Sequence, residues 1–186
     1  MTGRDPSTLT AVGLAALALA PVQIVIAAEY LSIEQAQKSL FAQADRFSEV
    51  ILALGPEQKQ RVAALAGAQP PHRSLRVWKA LRGSDLLGYV FVDEVVGRQD
   101  FITYAAAIDA AGKLGTLEVL TYRESHGGEI RNEAWRRQFA GRQGLEQVRF
   151  RTDIKNIAGA SLSCEHVTQG VRWLVALWDV ALRPNE

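Results

Sequence analysis

Between residues 75 and 122, apolar side chains alternate with polar ones, and this pattern constrains the fold more than any other feature. Such alternation is typical of β-strands that rest one face on a core. The predicted strands lie around Val77 and over residues 87–91, 101–108 and 117–122. The segments between them are too short for crossovers between parallel strands. We therefore predict an antiparallel sheet of about four strands.

Helical periodicity flanks this region on both sides. Four helices are predicted, over residues 32–44, 56–66, 129–139 and 162–182. Ser32 is a suitable N-cap for the first, while Pro56 and Gly67 suit the start and end of the second. Strands in the middle with helices at both ends predict an α+β domain over residues 29–186.

Composition limits the classes of function. Apolar residues make up 48% of the 186, which is enough for a core and argues against disorder. The 21 basic and 20 acidic side chains leave a net charge of +1, so no nucleic-acid partner is expected. Cys164 is the single cysteine, which excludes an internal disulfide. The three histidines lack metal-ligand spacing, so we expect no metal site.

The N-terminal segment carries no charge between Asp5 and Glu29. Residues 9–28 are rich in Ala, Leu, Val and Ile, and a bilayer span needs roughly 20 apolar residues. We interpret residues 1–28 as a signal peptide or a membrane anchor. Either interpretation places the domain outside the cytoplasm, and a buried Ala-rich helix remains the alternative.

A turn of small residues at 158–160 runs into the last predicted helix and brings two hydroxyls, Ser161 and Ser163, to its first turn. Helix N-termini carry unpaired N–H groups and the positive end of the helix dipole, so they favour phosphate. An ordinary serine cap is the alternative. The pattern therefore predicts a phosphate contact or a phosphoester at this turn.

The run Ala158-Gly159-Ala160-Ser161-Leu162-Ser163 resembles the flavinylation motif of FMN-binding domains. Two other stretches, residues 122–141 and 88–104, are similar to small members of that family. Such domains occur in the C and G subunits of sodium-translocating NADH:quinone reductase and Rnf complexes, and in small extracytoplasmic electron carriers. The resemblance extends over residues 30–180.

The resemblance implies FMN as the cofactor, joined through its phosphate to Ser163 by a flavin transferase that uses FAD and magnesium. It also implies a phosphate environment formed by Gly159, Ala160, Ser161 and Leu162. The residues expected around the flavin ring are Tyr122, Arg123, Glu124, His126 and Glu129. A solvent-exposed turn is the alternative for that second group.

The expected function is that of an extracytoplasmic electron carrier, in the periplasm or on the outer face of the inner membrane, rather than a stand-alone enzyme. Its expected partners are membrane or periplasmic redox proteins, or a membrane quinone system. Two alternatives stay open. One is a non-redox sensory or assembly module with the same fold, and the other is a domain that binds FMN reversibly.

Overall fold

A computed structural model describes residues 28–67, 75–123 and 127–184. The strands form one antiparallel sheet in the order β1-β6-β5-β4-β3-β2. The strands are β1 (Ala28–Glu29), β2 (Arg46–Val50), β3 (Arg76–Arg82), β4 (Asp85–Val96), β5 (Phe101–Asp109) and β6 (Leu114–Tyr122). The α-helices are α1 (Ile33–Leu40), α2 (Pro56–Ala66), α3 (Glu133–Arg136) and α4 (Ser161–Leu177).

The predicted α+β class with an antiparallel sheet is confirmed, but the sheet is larger than about four strands. The two strands beyond that number are β1 and β2, which form the two edges. β1 has two residues, and β2 is only half-buried or exposed along its length. Short edge strands leave a weak alternation, which explains why the sequence pattern missed them.

The two faces of the sheet carry cores of different size. Phe91 and Tyr104 point to one face and pack in the same core as Leu174 of α4. Val90 and Ala105 point to the other face, where Ala36 of α1 covers a smaller core. The alternation along β4 and β5 therefore places a helix on each side of the sheet.

Capping residues set the ends of the first two helices. Ser32 forms a capping box with Gln35, so the predicted start of α1 is confirmed. The helix ends at Leu40 rather than at residue 44. The predicted α2 is confirmed, and Gly67 ends it with a φ of 68°.

The single helix predicted over residues 129–139 is wrong. That segment consists of a 3₁₀ turn (Gly128–Arg131), α3 and a second 3₁₀ turn (Arg137–Phe139). Asn132 breaks it, because its backbone leaves the helical region and its side chain accepts a hydrogen bond from Ala134 N at 2.8 Å. An asparagine at such a point favours capping over helix propagation. Three apolar side chains of the segment are nevertheless buried: Ile130, Trp135 and Phe139.

The last helix, α4, crosses the larger core and continues as a π-helical turn over Trp178–Leu182. At Gly170 the helix lies close to the sheet. A Cβ there would lie 2.4 Å from Tyr104 Oη and 3.2 Å from Asp93 Oδ2. The glycine that weakens the helix by propensity thus allows α4 to pack against β4 and β5.

In the three described ranges, no helix is both long and apolar enough to cross a bilayer. The interpretation of residues 1–28 falls almost entirely outside the described residues. Ala28 is the first described residue, and it begins β1.

Candidate functional site

A cleft of about 310 Å³ opens at the N-terminus of α4. Its walls come from three parts of the chain: the first turn of α4 with the residues before it, the segment after β6, and the turn between β4 and β5. The lining residues are Arg98, Gly127, Gly159, Ala160, Ser161, Leu162 and Ser163. The volume lies at the lower end of the range typical of small-molecule sites.

The start of α4 has no serine cap, so the alternative of an ordinary Ser cap is wrong. Ala160 occupies the N-cap position and makes no side-chain cap hydrogen bond. Cys164 N donates to Ala160 O at 2.9 Å and closes the first helical turn. The N–H groups of residues 161–163 consequently have no carbonyl within the helix to bond, and the dipole adds positive potential there. This geometry suits an anion such as a phosphate.

Ser163 lies at the inner wall of the cleft. Its residue surface is 4% exposed, and its Oγ shares a hydrogen bond of 3.2 Å with Tyr122 Oη. Gly127 lies directly beside this pair with a φ of 88°. A Cβ at Gly127 would fall 2.6 Å from Tyr122 Oη and 2.9 Å from Ser163 Oγ. A glycine is therefore required for the backbone to come this close to the serine oxygen.

The second hydroxyl, on Ser161, is less buried than Ser163. It accepts a hydrogen bond of 2.8 Å from Asn156 Nδ2. Gly159 precedes it in the left-handed region, and Glu129 Oε1 lies 3.8 Å from where a Cβ on that glycine would be. The predicted phosphate turn and the carboxylate of Glu129 are thus neighbours.

Like Gly127, Arg98 is a cleft residue that the sequence did not predict. It lies in the turn between β4 and β5, which Gly97 N closes by donating to Asp100 O at 2.7 Å. His166 of α4 hydrogen-bonds to the carbonyl of Val96 and so fastens the helix beside that turn. An arginine in a polar turn usually faces solvent, so only the tertiary fold could bring it to the cleft.

The structure brings most of the predicted site residues together. Residues 159–163 line the cleft, Tyr122 contacts Ser163, and Glu129 lies next to Gly159. Glu124 and His126 lie outside the described residues, and their part in the site stays a prediction.

A buried carboxyl lies deeper in the fold, against the middle of α4. Asp93 is 1% exposed, and its Oδ2 accepts a hydrogen bond of 2.8 Å from Tyr104 Oη. Its Oδ1 has no hydrogen-bond partner among the described residues. Burial raises the pKa of Asp93 to about 6, and burial together with the Asp93 charge raises the pKa of Tyr104 well above its ordinary value. This pair faces Gly170, about 10 Å along the helix from Ser163.

Cys164 is fully buried, and burial raises the pKa of its thiol. A thiol held in the neutral form is a poor nucleophile. Its sequence neighbour His166 bonds to Val96 O instead. The two residues do not form a nucleophile–base pair.

The cleft fits the phosphate end of a flavin nucleotide. Unpaired N–H groups, two hydroxyls and the cation of Arg98 converge on it, and two glycines allow close approach of the backbone.

Residues 97–176 match the model of the FMN-binding domain family. The match begins in the turn that carries Arg98 and ends near the C-terminus of α4, so it includes every lining residue. A search of curated proteins found no relative that matches the chain. Residues 97–176 are therefore similar to the FMN-binding domain family, and this match indicates FMN as the cofactor.

Proposed function

We propose that this protein is an extracytoplasmic electron carrier that holds FMN through a phosphoester on Ser163. The observation that carries the proposal is the position of the Ser163 oxygen, in the wall of a cleft at the N-terminus of α4. The same domain binds FMN, and a phosphate at that oxygen meets the positive end of the helix.

The phosphate would be held by the N–H groups of the first turn of α4, by Arg98 and by the Ser161 hydroxyl. Tyr122 positions the acceptor, because its hydroxyl is hydrogen-bonded to Ser163 Oγ. In the attachment step, the Ser163 oxygen bonds to the FMN phosphorus of FAD. AMP leaves with the bridging oxygen, and the hydroxyl proton is released.

FMN supplies reversible uptake of electrons when it is bound, and the protein tunes that chemistry by nearby charge and hydrogen bonds. The cleft residues act as holding and positioning groups, which suits a carrier that exchanges electrons with membrane or periplasmic redox proteins. Covalent attachment retains the cofactor in a compartment without a supply of free flavin. Residues 1–28 would direct the domain out of the cytoplasm or anchor it there.

Co-expression with a flavin transferase in an exporting host tests the proposal. We expect a yellow protein whose flavin fluorescence stays with the band in a denaturing gel. Ser163→Ala should abolish the fluorescent band, whereas Ser161→Ala should retain it at a reduced level. A fluorescent Ser163→Ala band would contradict the assignment of the acceptor.

Reversible binding of FMN is the second candidate, and the burial of Ser163 favours it. A hydroxyl that is 4% exposed and already hydrogen-bonded is harder for a transferase to reach. In that case the native protein is yellow, but the flavin leaves the band on denaturation. A colourless protein from a competent host would instead support the non-redox module.

A further inference from the structure

The first described strand ties the N-terminal segment to the cleft. β1 is antiparallel to β6, with Ala28 opposite Tyr122 and Glu29 opposite Thr121. Tyr122 is the residue whose hydroxyl contacts Ser163 Oγ at 3.2 Å. Residues 1–27 therefore join the domain at the end of the sheet where the cleft lies, and β1 runs from there toward the opposite end.

Exposed apolar side chains surround the same end of the fold. Leu162 lines the cleft and is 45% exposed, and Val96, which is 49% exposed, precedes the turn that carries Arg98. Tyr30 is 39% exposed, and the guanidinium of Arg131 lies 4.5 Å from its ring centroid. Together these five residues, Tyr30, Val96, Arg98, Arg131 and Leu162, are called the cleft rim.

The position of Arg131 connects Tyr30 to the cleft. Arg131 Nε donates to Gly128 O at 3.1 Å, and Gly128 adjoins the cleft-lining Gly127. The cleft rim is thus one surface that combines aliphatic side chains, a tyrosine and two arginines, with the carboxylate of Glu129 among them. Tyrosine and arginine beside aliphatic residues suit the interface between water and lipid, and arginines favour anionic headgroups.

We propose that the cleft rim lies against the surface of the bilayer in which the hydrophobic segment before β1 anchors the domain. This inference rests on the proposed extracytoplasmic carrier, and it commits to a retained anchor rather than a cleaved signal. An attachment point beside the cleft keeps the cleft rim close to the membrane, because the chain enters the sheet at Ala28, opposite Tyr122. Electrons would then pass between the flavin and a partner in or on the bilayer.

Quenching by brominated lipid tests this orientation. The full chain would be reconstituted in vesicles of phosphatidylcholine and phosphatidylglycerol that carry bromine on the acyl chains. A bimane label would be placed in Val96→Cys on the cleft rim or in Ser84→Cys, an exposed turn residue at the opposite end of the sheet. The buried Cys164 should remain unlabelled under native conditions, which unsubstituted protein would check.

We expect the label at position 96 to be quenched several-fold more than the label at position 84. Equal quenching, stronger quenching at position 84, or a full chain that does not stay with the vesicles would overturn the proposal. Flavin absorbance of the same samples separates this inference from the proposed function. A yellow protein with the wrong quenching pattern refutes the orientation alone. A colourless protein with the expected pattern, from a host that expresses the flavin transferase, refutes the carrier alone.

Discussion

The two ends of α4 differ in the residues that form and surround them. At its N-terminus, glycines, alanines and serines border a cleft, and Leu162 is nearly half exposed. At its C-terminus, Trp178 is 4% exposed and packs against Gly112, where a Cβ would lie 2.5 Å from the ring. One helix therefore borders an open cleft at one end and is anchored in the core at the other.

The difference teaches how the fold can hold a polar ligand without losing its core. Buried aromatic side chains contribute several kcal/mol each, so the C-terminal end and the π-helical turn fix α4 on the sheet. The N-terminal end can therefore keep backbone N–H groups and hydroxyls that make no hydrogen bond within the helix. Substitutions at the C-terminal end should thus affect stability, and those at the cleft should affect the flavin.

The largest effect is expected for Trp178→Ala at the packed end. Loss of the buried indole should lower the free energy of unfolding by about 3–5 kcal/mol, as is typical of large core aromatics. Urea denaturation would measure this. Leu162→Ala at the cleft end should cost less than about 1 kcal/mol, because the side chain is half exposed. Similar losses of unfolding free energy in the two variants would contradict the difference between the two ends of α4.

The middle of α4, like its C-terminal end, is expected to pack tightly in the core. The pH dependence of stability tests this, because Asp93 lies against the middle of the helix. Its carboxyl has a pKa of about 6 in the folded protein against an ordinary 3.8. The folded state thus binds more protons than the unfolded state between these values, so stability falls as pH rises from about 4 to about 6. The loss at neutral pH is on the order of 3 kcal/mol.

Asp93→Asn should remove this fall, since the amide oxygen can still accept from Tyr104 while carrying no charge. Denaturation at several pH values would show a flatter stability profile for the variant. Asp85→Asn, at an exposed carboxylate, is the matched control and should keep the wild-type profile. A wild-type slope in Asp93→Asn would show that the carboxyl is not held in a dry environment.

Gly127→Ala tests the role of the cleft at the N-terminal end of α4. The substitution forces a Cβ into contact with both hydroxyls, so flavin attachment should be strongly reduced. Gly141→Ala is the control, because that glycine has a similar φ of 82° but nothing within 4 Å of its Cβ. Both variants should lose about 1–2 kcal/mol from the left-handed backbone alone. Comparable flavin content in the two would mean that close approach at Gly127 is unimportant.

Arg98→Gln is expected to have the smallest effect. An exposed cation at the cleft should favour the phosphate by about 1 kcal/mol, so flavin attachment by purified transferase should slow several-fold, and less so in high salt. Arg82→Gln, an exposed arginine at the opposite end of the sheet, should leave the rate unchanged. Equal rates for both variants would remove Arg98 from the phosphate site.

The structure of the periodic segments could be predicted from the sequence, whereas the contacts between distant segments could not. The alternation over residues 75–122 gave β3 to β6, and the helical periodicity over residues 162–182 gave α4. These signals are local and repeat over many residues. The edge strand β2 and the break at Asn132 depend on few residues, so periodicity alone did not reveal them.

The candidate site shows the same division. The turn at residues 158–163 pointed to a phosphate because small residues, hydroxyls and a helix start are adjacent in sequence. Arg98 reaches that turn only because β4 ends beside α4. The contact between Tyr122 and Ser163 likewise needs the sheet and the helix in place.

Peptide mapping by mass spectrometry tests the central claim most directly. Cleavage after Lys155 and Arg172 releases residues 156–172, which contain both serines of the cleft. After co-expression with the transferase, we predict that this peptide gains the mass of FMN less one water, with fragment ions that place it on Ser163. An unmodified peptide, or fragments that place the flavin on Ser161, would contradict the account.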